Sequence, residues 1–154
     1  MGTQQILMIV LSVIIVGVAV GVGITMFQNQ AVNSNRQAVI ADLNNFAAQA
    51  IAWYKLPTYM GGGGNEGFTT TPEGGEEAVT AGLLSYLGFI NDEGDPATTY
   101  TNDNGTYTIT FSEDNLVIEG VGKEQVAANT FVGATLTINM AAAPGEQIDI
   151  VIDN

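Results

Sequence analysis

The sequence predicts an α+β chain: a long N-terminal α-helix, apolar first and amphipathic later, packed on a four-stranded antiparallel β-sheet head. Three observations carry this. Every residue from Ile6 to Ile24 is Ile, Leu, Met, Val, Ala, Gly or Ser. A stripe of apolar residues at helical spacing follows, with no proline before Pro57. The last third of the chain alternates apolar and polar residues with period two, between turn signals.

Residues 1–28 form the apolar segment. At ~1.5 Å per residue, Ile6 to Ile24 makes ~28 Å of helix, close to the ~30 Å hydrocarbon core of a bilayer. Gly17, Gly21 and Gly23 cost helix stability in water. Gly17-x-x-x-Gly21 nevertheless gives a small-residue face on which another helix can pack closely. A cleaved secretory signal wants a basic n-region, a shorter apolar run and an A-x-A-like site. The opening "MGTQQ" has no basic side chain, and no such site follows. Myristoylation needs Ser or Thr at the position held by Ile6.

Residues 29–55 continue the same helix. Val39, Leu43, Phe46, Ala50 and Trp53 recur at three- and four-residue steps, with Asn, Gln, Asp and Arg between them. This stripe is expected to pack on the head. The two halves together predict a rod roughly 80 Å long, with Gly21-Val22-Gly23 the place for it to stretch or melt.

Residues 56–105 read as a variable loop region. "MGGGGNEGFTTTPEGG" reads as a flexible connector; a phosphate-binding loop wants Gly-Lys-[Ser/Thr] after a strand, and neither is present. A short helix is expected near 76–87, with Val79, Leu83, Leu84 and Leu87 on one face. Glu76 and Glu77 suit its positive end, and Gly88 its C-cap. "NDEGD" and "TNDNG" read as Asx-rich turns; they hold oxygen ligands for Ca²⁺ without the spacing of an EF-hand loop.

Residues 106–154 carry the four strand signals. These are "TYTITF", "LVIEG" after the tight "SEDN" connection, "TFVGATLTINM", and "QIDIVIDN" after Pro144-Gly145. Alternation with tight turns predicts an antiparallel sheet with one buried face, and that face should cover the helical stripe.

Charge and composition remove several function classes. The net charge is −13, from 16 acidic and 3 basic residues. Arg36, Lys55 and Lys123 are scattered, and nucleic-acid binding needs clustered cations to displace counterions. With no Cys and no His, thiol chemistry, disulfides, imidazole bases and Cys/His zinc sites are excluded. The carboxylates form no recognisable acid/base arrangement, so neither an enzyme nor a cofactor is expected. Asn104-Gly105-Thr106 matches a glycosylation sequon.

This layout resembles a type IV pilin or pilin-like filament subunit. In that family the mature chain begins at Phe or Met, and an acidic residue usually stands at position 5 before a hydrophobic run. Met1 fits the first position, Gln5 falls where Glu is usual, and Ile6, Leu7, Ile9 and Val10 match the run. The likeness covers the whole layout, and its sequence-specific part the first 55 residues or so. Gln5 can hydrogen-bond but carries no charge, so it does not supply the charge of the family's ion pair with a neighbour's terminal amine. Val22 stands where the family has a proline, and no cysteine pair staples the C-terminal region. The short helix and single sheet favour the bacterial-style layout over the archaeal one.

The resemblance implies a structural subunit of an extracellular helical filament, with roles in adhesion, motility or surface attachment. It waits in the cytoplasmic or inner membrane and is then polymerised by a pilus assembly machinery. Met1, Gln5, Gly17, Gly21 and Gly23 are the implied assembly residues, and the Met1 amine and Gln5 the implied partners across subunits. Two other expectations stand beside it: a secretion-system pseudopilin, and a membrane-anchored extracellular binding domain that never polymerises.

Overall fold

The computed structural model describes residues 2–68, 76–112, 115–143 and 145–153. Met1, Glu113, Asp114 and Pro144, and with them the expectations for the Met1 amine, the "SEDN" connection and the Pro144 turn, lie outside the described residues. So do the side chains of 76–79, which include Glu76, Glu77 and Val79. The chain divides into two compact units, Met1–Ser34 and Asn35–Asn154.

Helix α1 spans Thr3–Lys55. In the first unit it is helical through Gly21-Val22-Gly23, with no break at the expected melting point. Leu, Met, Ile and Val side chains, with no proline, keep the backbone helical. Ser12 and Thr25 turn their hydroxyls back on the helix, donating to the carbonyls of Ile9 at 2.8 Å and Gly21 at 3.1 Å. The segment therefore presents no unpaired hydroxyl along this stretch.

The second unit holds the rest of α1, the 3₁₀ turn Thr58–Met60, helix α2 (Glu76–Leu87) and one sheet. The strands are β1 (Thr99–Thr101), β2 (Gly105–Phe111), β3 (Asn115–Ala127), β4 (Thr130–Asn139) and β5 (Ile148–Asp153). All neighbours are antiparallel, in the order β1-β2-β3-β4-β5. The long N-terminal helix packed on an antiparallel sheet is the expected fold, with five strands where four were expected. The added strand is "TYT", which pairs Tyr100 with Tyr107 across a tight turn. Three residues between Asx-rich segments are too few to show a period.

The strand alternation reads directly as burial. Tyr107 and Ile109, Leu116 and Ile118, and Ala134, Leu136 and Ile138 face one side and are buried. The stripe of α1 meets this face: Val39, Leu43, Phe46, Ala50 and Trp53 are buried, and so is Ala47. Phe46 sits at the middle, its ring edge-on to Phe89 and Tyr107, each at 5.2 Å. Leu83, Leu84 and Leu87 of α2 join the same core. Each such side chain contributes about 1.5–3 kcal/mol by leaving water. Helix α2 ends as expected at Gly88 (φ 78°), with Phe89 N–H donating to Leu84 O and Gly88 N–H to Ser85 O, a Schellman closure.

The expectation of a flexible connector is corrected for the four glycines after α1, which cap that helix; residues 69–75 of the same stretch lie outside the described residues. Gly63 N–H donates to Trp53 O at 3.0 Å, Gly64 N–H to Leu56 O at 2.9 Å, and Asn65 N–H to Tyr54 O at 2.9 Å. The Trp53 indole N–H donates to Gly61 O at 3.0 Å, and Tyr54 O–H to Asn65 O at 3.0 Å. The loop thus satisfies carbonyls that the end of a helix leaves open. Only glycine permits the approach: a Cβ on Gly62 would collide with Leu56, and one on Gly63 would lie 2.8 Å from the Trp53 ring.

Candidate functional site

Two features stand out: the apolar surface of the first unit, and a polar clip holding α1 to the sheet in the second.

In the first unit, every large apolar side chain from Ile6 to Phe27 is at least 52% exposed. By length and composition this helix is long and apolar enough to cross a membrane. Gly17, Gly21 and Gly23 are helical, with open space where a Cβ would stand. Among the described residues, no contact requires them to be glycine. Gln5 is exposed, its N–H donating to Gly2 O at 2.9 Å. No hydrogen bond ties its side-chain amide to another described residue. Met1, the other polar end group of the expected assembly set, lies outside the described residues.

In the second unit the clip is built from the polar flank of α1. Asn35 and Asp42 stand seven residues apart, two turns along one side of the helix. Asp42 Oδ2 accepts hydrogen bonds from Tyr107 Oη at 2.6 Å, Asn104 Nδ2 at 2.8 Å and Asn102 Nδ2 at 2.9 Å. Asn35 Nδ2 donates to Asn104 O at 2.8 Å, and its Oδ1 accepts from Glu124 N–H at 3.4 Å. The β1–β2 turn closes itself: Asn102 Oδ1 accepts from the N–H groups of Asn104 and Gly105. "TNDNG" is thus an Asx turn whose amides also hold the helix. "NDEGD" behaves likewise, Asn91 Oδ1 accepting from Glu93 and Asp95 N–H.

The close approach depends on β3. Cβ atoms on Gly120 would press on Val39 and Tyr107 at 3.0 and 3.1 Å, and one on Gly122 would collide with Asn35 Oδ1. Small residues there let α1 come near enough for side chains as short as Asp and Asn to reach.

Electrostatics follow from this geometry. Burial pushes the Asp42 carboxyl up, but the hydrogen bonds from Asn104, Tyr107 and Asn102 outweigh it and hold the pKa below its ordinary value. Burial raises the Tyr107 phenol, and the hydrogen bond to Asp42 and its charge raise it further. Asn104 Nδ2, the atom to which a sequon glycan would be joined, is the one donating to Asp42. No group of three or more carboxylates suited to a metal occurs among the described residues.

Asn35 and Asp42 were not singled out by the sequence, and Asn102 only as part of the "TNDNG" turn. The available signal was the i, i+7 placement of Asn35 and Asp42 at the border of the apolar stripe. Comparison with family models, curated proteins and solved structures finds no match.

Proposed function

We propose that this chain is the structural subunit of a type IV pilus-like helical filament, assembled through its N-terminal helices. The observation that carries the reading is a single helix with two characters. Its Ile6–Phe27 stretch leaves every large apolar side chain uncovered, while its Val39–Trp53 stripe is spent on the core of its own sheet. The second half fixes the helix to a folded unit; the first is left for something outside the chain.

In this reading that environment is the cytoplasmic or inner membrane, and afterwards a bundle of identical helices built by an assembly machinery. Burying a run of side chains at about 1.5–3 kcal/mol each makes such a bundle nearly irreversible in water. Contacts repeated head to tail without closure give an open fibre. Gly17, Gly21 and Gly23 allow close helix approach, and Gln5 is the polar side chain to be paired inside, where an unpaired group costs about 1–3 kcal/mol. The role is mechanical, at the cell surface, and requires no cofactor.

Negative-stain microscopy of cell-surface material tests it. Long fibres of uniform diameter containing this chain are expected. Their absence, with the chain confined to the membrane fraction, favours an anchored, non-polymerising domain. Short fibres confined to the cell envelope favour a pseudopilin. Residues 29–154 alone should be a soluble monomer in each case.

A further inference from the structure

Among the described residues the sheet ends on β5, and no strand pairs with its outer edge. Asn139 N–H donates to Gln147 O at 2.8 Å. Continued along the register, this makes Thr137–Asp149, Thr135–Val151 and Gly133–Asp153 the pairs that exchange ladder bonds. The N–H and C=O groups of Ile148, Ile150 and Ile152 therefore point away from β4, with no strand to take them. Their side chains lie on the core face, opposite Ile138, Leu136 and Ala134. Ile150 packs against the core, whereas Ile148 and Ile152 remain 45% and 46% exposed. On the other face Asp149 and Asp153 flank Val151, which is 51% exposed. The opposite edge, β1, is only Thr99–Thr101.

Charge decides what fits this edge. There is no Lys or Arg from Thr130 to Asp153, and the chain carries −13. A second copy of β5 would bring the same aspartates to the same seam, and edge charges of one sign keep identical strands apart. The same carboxylates attract cations. We propose that β5 is the docking edge for an extended, basic segment of a different protein, added antiparallel as a further strand.

The register states what that segment must look like. Starting opposite Asp153 and ending opposite Ile148, it reads basic, apolar, any, apolar, basic, apolar. Backbone bonds at Ile148, Ile150 and Ile152 hold it; Lys or Arg opposite Asp149 and Asp153 selects it. The inference does not depend on whether the chain polymerises.

The test uses the full chain in detergent micelles and a labelled peptide, acetyl-Lys-Val-Thr-Val-Lys-Val-amide, followed by fluorescence anisotropy and amide hydrogen exchange. Saturable binding is expected, with slowed exchange at Ile148, Ile150 and Ile152. The Asp149→Lys/Asp153→Lys double variant should bind about tenfold more weakly and should prefer acetyl-Glu-Val-Thr-Val-Glu-Val-amide. A scrambled peptide of the same composition should bind less well than the patterned one. The proposal is overturned by no binding, by equal binding of the scrambled peptide or the double variant, or by unchanged exchange at the three isoleucines. Protection of those amides without peptide, rising with protein concentration, would overturn it too, by making a second copy the occupant.

Discussion

Tyr107 donates its phenolic proton to Asp42 at 2.6 Å, joining helix α1 to strand β2. The two are 65 positions apart in the chain, and Asn102 and Asn104 converge on the same carboxylate oxygen. Replacing Asp42 with Ala leaves three donors without their acceptor. Loss of a charge-assisted acceptor costs about 1–3 kcal/mol, so thermal unfolding of the sheet unit should shift down by several degrees. Circular dichroism in the β region reads this. An unchanged melting point would mean that water replaces the carboxylate at no cost.

The same carboxylate gives the fold an acid limb. Asp42 has a folded pKa below its ordinary value. Its contribution is therefore present above the unfolded pKa, about 3.9, and is lost as pH falls through the folded value. Chemical denaturation between pH 7 and pH 2 should show stability falling at the acid end. The Asp42→Asn variant should be less stable at pH 7 and should show a flatter acid limb. At the alkaline end the Tyr107 pKa is raised, so the stability tied to its protonated form is fully present below the ordinary tyrosine pKa of ~10 and is lost progressively as pH rises from there through the folded value. Ultraviolet titration should show one tyrosine ionising after the rest.

Gly62→Ala tests the cap on α1. The new methyl group would meet Leu56 Cβ and its carbonyl, and backbone cannot swing aside as a flexible side chain can. A cost of about 1–3 kcal/mol is expected, as for other overpacked sites. The Trp53 environment should change with it, since its indole N–H depends on Gly61 O. Tryptophan fluorescence and the denaturation midpoint measure both together.

Gln5→Leu separates assembly from folding. Gln5 is exposed in the first unit and makes no side-chain hydrogen bond to a described residue. The variant should therefore leave the melting of the sheet unit unchanged while lowering fibre yield. Normal fibre yield would refute the assembly role of Gln5; a lowered melting point would place it in folding instead.

The sequence by itself determined the elements that have a period. The apolar run from Ile6, the stripe from Val39 to Trp53 and the alternating strands each repeat long enough for hydrophobicity to name both the element and its buried side. Helix α2 was legible through its Gly88 C-cap as well as its leucines. What has no period was not legible. Strand β1 exists because Tyr100 finds Tyr107, and its three residues carry too little pattern to stand out from a loop. The glycine run looks flexible because composition records conformational freedom; only the folded chain shows its N–H groups spent on the carbonyls of α1.

The clip was the least visible, because hydrogen bonds between residues 60 or more positions apart leave no local trace. Local hydrophobic pattern chose the helix, the strands and their inward faces. Tertiary structure decided which polar groups meet across those faces, since that depends on register and on how closely Gly120 and Gly122 let α1 approach.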